Sequence, residues 1–152
     1  MRGARWLGLL ILLIFSLSSS GQAHYIKKYK KLSDSLSKIY KIPSAVILGV
    51  AIVESSSGKG KNCKMLNNHF GIVGKNNLRK TKKIKTRYKQ YPSAKTSYVD
   101  FCKVISKRKF YTQLKGNNDA ALWIDHISKT GYSEQPQIWK KRILAIIEKY
   151  KL

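Results

Sequence analysis

Glu54 is the residue in this chain best placed for acid chemistry. It follows nine uninterrupted apolar or small residues, Ala45 to Val53. A helix through them puts Ile47, Val50 and Ala51 on the same face as the carboxyl group. Glu54 also ends that helix, where the peptide dipoles disfavour a negative charge by about 0.3–1 kcal/mol. Partial burial acts in the same direction. Both effects hold a carboxyl protonated at higher pH, which is what a general acid protonating a glycosidic oxygen requires. The plainer reading is a glutamate just beyond a buried helix, solvated or paired with Lys59.

The elements that must position this carboxyl are mostly helical. Tyr25, Tyr29, Leu32, Leu36 and Ile39 recur every three or four residues and predict an amphipathic helix with these five on its buried stripe. After Ile42-Pro43-Ser44 a second helix begins, apolar all round and therefore central. Ser93 is a suitable N-cap for a helix burying Ala94, Tyr98, Phe101, Cys102 and Ile105. Asn117 or Asn118 is expected to cap the next, with Ala121, Leu122, Ile124 and Ile127 inward and Gly131 as its stop. Pro136 suits the first turn of a last helix, whose stripe is Trp139, Ile143, Ile146, Ile147 and Tyr150. Residues 75–89 break this pattern with eight Lys or Arg and no acid. Tyr88 and Tyr91 there suit a small strand or hairpin. The expected class is α+β, mainly α: one domain with a helical core and a small basic β lobe or loop arm.

Composition bounds the partners. Arg2 and Arg5 precede an apolar run from Trp6 to Leu17, and small residues Gly21 and Ala23 follow. Residues 1–23 are therefore read as a secretory signal peptide, and residues 24–152 as the functional domain. The apolar run falls short of the roughly 20 residues of a bilayer span; an uncleaved anchor is the alternative. No cysteine at the cleavage region suggests a lipoprotein. Removing 23 of the 152 residues leaves 129 and lowers the formal charge from +24 to +22. So basic a domain seeks a polyanion or anionic surface. Export, to the periplasm or beyond the cell, turns that expectation away from nucleic acid and toward cell walls, with membrane contact only through the signal peptide. Cys63 and Cys102 are a disulfide candidate whose roughly 40-residue loop would add about 3–4 kcal/mol; two reduced, half-buried thiols are the alternative. The histidines and cysteines show no metal-ligand spacing. No cofactor is expected, and the chain is expected to be a monomer.

Taken in order, several stretches resemble the bacterial glucosaminidase-type wall hydrolases of glycoside hydrolase family 73. They are Ile42-Pro43-Ser44 with the apolar run, Glu54-Ser55-Ser56-Ser57-Gly58, Asn67-Asn68-His69-Phe70-Gly71-Ile72, Tyr88-Lys89-Gln90-Tyr91, Ser97-Tyr98-Val99-Asp100-Phe101, and Gly131-Tyr132-Ser133 with Pro136. Each is weak alone; their order and spacing together are specific and run from about Tyr25 to Leu152. The resemblance implies a lysozyme-like fold and cleavage of β-1,4 bonds between N-acetylglucosamine and N-acetylmuramic acid in peptidoglycan. It puts the family's catalytic glutamate on Glu54 and its active-site tyrosine on Tyr132. Phe70 resembles the aromatic beside the cleft, although an isolated Phe is more often core. Asn68 and His69 either hydrogen-bond the sugar or hold the turn before Gly71, and turn-holding is favoured for Asn67. Tyr88 and Tyr91 are candidate stacking surfaces for sugar rings, or packing for the small lobe. Trp139 reads as core.

One departure affects the mechanism. Many relatives carry a second acid shortly before the segment matching Tyr88-Lys89-Gln90-Tyr91, and residues 75–91 contain none. Inverting and retaining glycosidases both ordinarily use two carboxylates. Glu134, close to Tyr132, is the first candidate for the second, and Asp100 a poorer one; the substrate's own acetamido group is a third route. Two rival functions stand beside the hydrolase: a single-glutamate lytic transglycosylase on the same fold, and a cationic wall-binding protein with weak or no catalysis.

Overall fold

The computed structural model describes the backbone from residue 5 to residue 152 and side chains from Ser20 onward. Of the expected signal peptide, residues 1–4 and the side chains before Ser20 lie outside the described residues. The helices are α1 (Arg5–Tyr40), α2 (Ser44–Glu54), α3 (Lys61–Leu66), α4 (Leu78–Lys82), α5 (Ala94–Ser106), α6 (Tyr111–Leu114), α7 (Ala120–Ser128) and α8 (Pro136–Tyr150). α2 is the axis of the body. Val46 through Ile52 are all buried, because α1, α7 and α8 pack around it. Its uniform apolarity is what that position demands. Gly49 lets α8 come close: a methyl group there would lie 3.0 Å from Ile147 Cγ1 and 3.2 Å from Ile143 Cγ2.

The expected stripes are largely buried, with informative exceptions. Tyr25 and Leu36 are core, and Tyr29 and Leu32 pack against it. Ile39, expected inward, is 69% exposed. The chain leaves the helix at Lys41, with φ of +54°, and fully buried Ile42 enters the core instead. α5 starts at Ser93 as expected, with a capping box in which Ser93 and Thr96 exchange side chain to backbone bonds. α7 is capped by Asp119, whose side chain accepts from the Leu122 amide. Asn117 uses its side chain on the Asp119 amide and its carbonyl on the Trp123 indole. Trp123 is fully buried, whereas Ala121 is exposed.

The small β lobe does not form as a sheet. One isolated antiparallel bridge, Val73 to Tyr88, is its sole β pairing among the described residues. The Gly74 amide donates to Arg87 O at 2.9 Å, and the Lys89 amide to Ile72 O at 2.8 Å. The Gln90 amide also donates to Lys75 O at 3.0 Å, and the Asn76 side chain does the rest: its Nδ2 donates to both Thr86 O and Tyr88 O at 2.9 Å. The intervening lysine-rich residues make the one-turn helix α4. Eight like charges in fifteen residues repel, and only Leu78 in α4 is buried.

Cys63 and Cys102 are both buried and free. Of the two readings, disulfide or reduced thiols, the thiols are what the structure shows, each in its own environment. Cys63 Sγ lies 3.4 Å from His69 Nε2, and burial raises the Cys102 thiol to about 12.

Candidate active site

α2 ends at Glu54 because the next turn is taken over by Ser55. Its hydroxyl donates to Ala51 O at 2.6 Å and accepts from the Gly58 amide at 2.9 Å. This delivers the Glu54 carboxyl from the core to the wall of a groove of about 530 Å³. Burial holds its pKa above the ordinary carboxylate value; the Trp139 hydrogen bond and the Arg142 charge oppose that shift. Trp139 Nε1 donates to Glu54 Oε1 at 2.6 Å. Because Oε1 accepts this bond, the acidic proton belongs on Oε2. That oxygen lies 3.1 Å from where a Gly71 Cβ would sit. Gly71 has φ of +67°, so this loop position needs glycine both for its backbone and for its approach to the acid.

Tyr132 lines the same groove and packs between Phe101 and Trp139, with ring centroids 6.2 and 5.4 Å away. Its hydroxyl donates to Phe70 O at 2.5 Å. Burial and the Glu54 charge push its pKa far up, so it stays a neutral phenol. Glu134 is exposed at the groove rim. A second stretch of groove, about 380 Å³, continues past Tyr132 and Glu134 to Ile138 and Arg142. Tyr88 lines both stretches. Glu54 and Glu134 are the acids that line them.

Other expected site residues hold the groove rather than face it. Asn68 is 1% exposed. Its Nδ2 donates to Ile72 O and Lys89 O at 2.9 and 2.8 Å, and its Oδ1 accepts from the Phe70 and Ile72 amides. With both ends of the amide engaged by backbone, no group remains for a sugar: Asn68 is a turn-holding residue. Asn67 plays the expected turn role, with φ of +52° and a bond to Tyr91 O.

His69 is likewise buried and is not part of the groove lining. Tyr25 OH lies 2.5 Å from its Nδ1, and Tyr98 OH lies 2.9 Å from the Tyr25 oxygen. Burial, aided by the Lys28 charge, lowers its pKa to about 4. Phe70 is core, stacked on Phe101 with centroids 4.2 Å apart; it forms groove floor without offering an open face. Tyr91 is buried, its hydroxyl donating to Asp100 Oδ2 at 2.7 Å. Lys89 takes the same oxygen. This removes Tyr91 as a stacking surface and Asp100 as a second acid.

Sequence reasoning missed four contributors. Trp139 is core, as its helical spacing indicates, yet its indole N–H reaches the catalytic candidate. Arg142, one turn further along α8, shares that face. Val73 and Ile138 are 59% and 56% exposed, one in each stretch of the groove. They are apolar surfaces of the kind that receive sugar-ring faces. Among the described residues no group of three or more His, Cys, Asp or Glu is placed to hold a metal ion.

This arrangement, a carboxyl whose pKa burial raises in a groove walled by Tyr and apolar residues, suits acid-assisted cleavage of a linear polymer. The fold is shared with solved structures at low sequence identity. One is the catalytic domain of the autolysin Auto from Listeria monocytogenes: 22% identity, TM-score 0.68, over 86% of this chain and 85% of that one. Another is the glycoside hydrolase domain of FlgJ from Salmonella typhimurium: 17%, 0.67, 86% and 88%. A third is a chain from a type VI secretion system effector-immunity complex of Pseudomonas protegens: 20%, 0.63, 87% and 95%. No curated protein matches the chain. The sequence profile of the glucosaminidases, described as mannosyl-glycoprotein endo-beta-N-acetylglucosaminidase, matches residues 27–152. That match spans the groove, Glu54 and every helix from the body of α1 to α8, and the chain therefore belongs to the glucosaminidase family and is a glycoside hydrolase.

Proposed function

We propose that this chain hydrolyses peptidoglycan at the β-1,4 bond between N-acetylglucosamine and N-acetylmuramic acid, with Glu54 as the general acid. The observation that carries the reading is the Glu54 carboxyl itself. It is desolvated at the wall of a polymer-sized groove, with Oε1 tied to Trp139 and Oε2 toward the groove beside Gly71. Oε2 gives its proton to the oxygen of the departing sugar as the glycosidic bond breaks. Tyr132 fixes the wall beside it and, through Phe70 O, the loop that carries Gly71. Glu134, across the groove rim, is the candidate base that takes a proton from the attacking water. Tyr88, Val73 and Ile138 carry the sugar-ring faces. The substrate lies outside the cytoplasm, which accords with reading residues 1–23 as an export signal and with a periplasmic or extracellular monomer.

Mass spectrometry of digested wall tests this reading. Hydrolysis at the proposed bond leaves N-acetylglucosamine at the new reducing end. A muramic acid reducing end moves the cut to the other bond, and an anhydro-sugar end, lighter by one water, makes the chain a transglycosylase.

A further inference from the structure

The chain is lysine-rich: of 31 basic residues, six are arginines, at positions 2, 5, 79, 87, 108 and 142. Yet the cations lining the groove are all arginines. Arg108 lines the stretch beside Glu54, Arg142 the stretch beyond Tyr132, and Arg87 lines both; no lysine lines either. The three come from different parts of the chain: the loop before Tyr88, the turn after α5, and α8.

None of the three lies within ion-pair distance of a carboxylate among the described residues. The ion pairs that do form there are made by lysines, to Asp34, Asp100 and Asp125. Arg142 acts on Glu54 only through its field, and Arg87 rests over the Tyr88 ring at 5.7 Å.

A neutral sugar polymer gives no reason for this distribution. A polymer covering the groove without supplying acceptors would desolvate guanidinium groups and leave them unpaired. A planar guanidinium fork pairs two-pronged with a carboxylate in a way that an ammonium does not.

We infer that Arg87, Arg108 and Arg142 form an anion-reading rail that selects glycan strands bearing peptide carboxylates over the same strands stripped of peptide. The inference rests on the glycan-cleaving reading above and names the feature of the strand that the groove recognises. In wall glycan every second sugar carries a peptide through its lactyl group. Arginines spread along both stretches of the groove suit such a repeating anionic substituent.

The test measures binding in a Glu54→Gln background and turnover in the parent, both at one fixed physiological ionic strength, because the three arginines are as exposed to salt as the lysines. The substrates are soluble glycan strands with peptides, without peptides, and with peptide carboxylates chemically amidated. Peptide-bearing strands should bind roughly tenfold more tightly than stripped or amidated ones. Arg87→Gln with Arg108→Gln should erase that preference, so that peptide-bearing, stripped and amidated strands bind the variant within about twofold of one another. Arg87→Lys with Arg108→Lys should restore only part of it. Equal binding to amidated strands, or a preference untouched in the double Gln variant, overturns the inference. A preference that disappears on removing wall phosphate polymers, and not on amidation, overturns the assignment to carboxylates. If the parent cuts neither strand, the hydrolase reading falls, while the binding comparison still decides the arginines.

Discussion

Trp139 and burial act on Glu54 in opposite directions. Burial favours the neutral carboxyl, and the indole N–H favours its ionised form. The balance sets the pH at which the acid loses its proton and activity falls. Trp139→Phe removes the opposing bond, so the alkaline limb of the kcat profile should move to higher pH, at a cost of about 1–2 kcal/mol in stability from lost packing. An unmoved limb in a folded variant would remove the indole from the mechanism. His69 gives a second titration with the other sign. Its folded pKa, about 4, lies below the roughly 6.5 of an unfolded chain. The stability it contributes is therefore complete above pH 6.5 and is lost as pH falls toward 4, by up to about 3 kcal/mol. Denaturant titrations across that window should show the loss in the parent and not in His69→Gln. At this scale the sequence was a good guide to Glu54, whose apolar run announces burial. It was a poor guide to Asn68, His69 and Tyr91, since a polar residue in a loop reads the same whether it faces a ligand or pins a backbone.

The loop of residues 68–72 is where elements meet the acid. Asn68 fastens it to Ile72 and Lys89, the Ser97 hydroxyl on α5 accepts the His69 amide at 3.0 Å, and Tyr132 holds Phe70 O. Gly71 is the point of closest approach. Gly71→Ala puts a side chain at positive φ and within 3.1 Å of Oε2. It should cost about 1 kcal/mol in stability and lower kcat tenfold or more by displacing the carboxyl. Full activity in that variant would show that Oε2 need not lie where it does. Helix positions were legible from spacing and from Ser93 and Pro136, because apolar periodicity and cap chemistry are local. The α7 cap shifted to Asp119 since Asn117 is engaged with Asp119 and Trp123. Of the two expectations for the basic segment, β lobe or loop arm, the loop arm is what forms: Tyr88 and Tyr91 suggest strand, but the pairing stops at one bridge and Asn76 bonds the carbonyls of Thr86 and Tyr88 with its side chain, which nothing local announces.

Across the whole molecule, acids are few and most of those described are committed. Asp100 and Asp125 hold lysines, Asp34 holds Lys30 and Ser44, and Asp119 caps α7. Glu54 and Glu134 are left at the groove. The family resemblance was visible in the order of short motifs because those motifs sit at the groove wall and at the joints that shape it. The long-range pairing of Trp139 with Glu54 was not visible, since it depends on α8 crossing α2 at Gly49. Cleavage by this molecule depends above all on Glu54 as proton donor. The most direct test is release of reducing ends from purified peptidoglycan by the parent and by Glu54→Gln, with wall binding and thermal unfolding followed in parallel. The expected result is a fall of at least about 10²-fold in rate with binding retained and the fold at least as stable as the parent's at neutral pH. A folded Glu54→Gln protein that releases reducing ends at the parent's rate would contradict it.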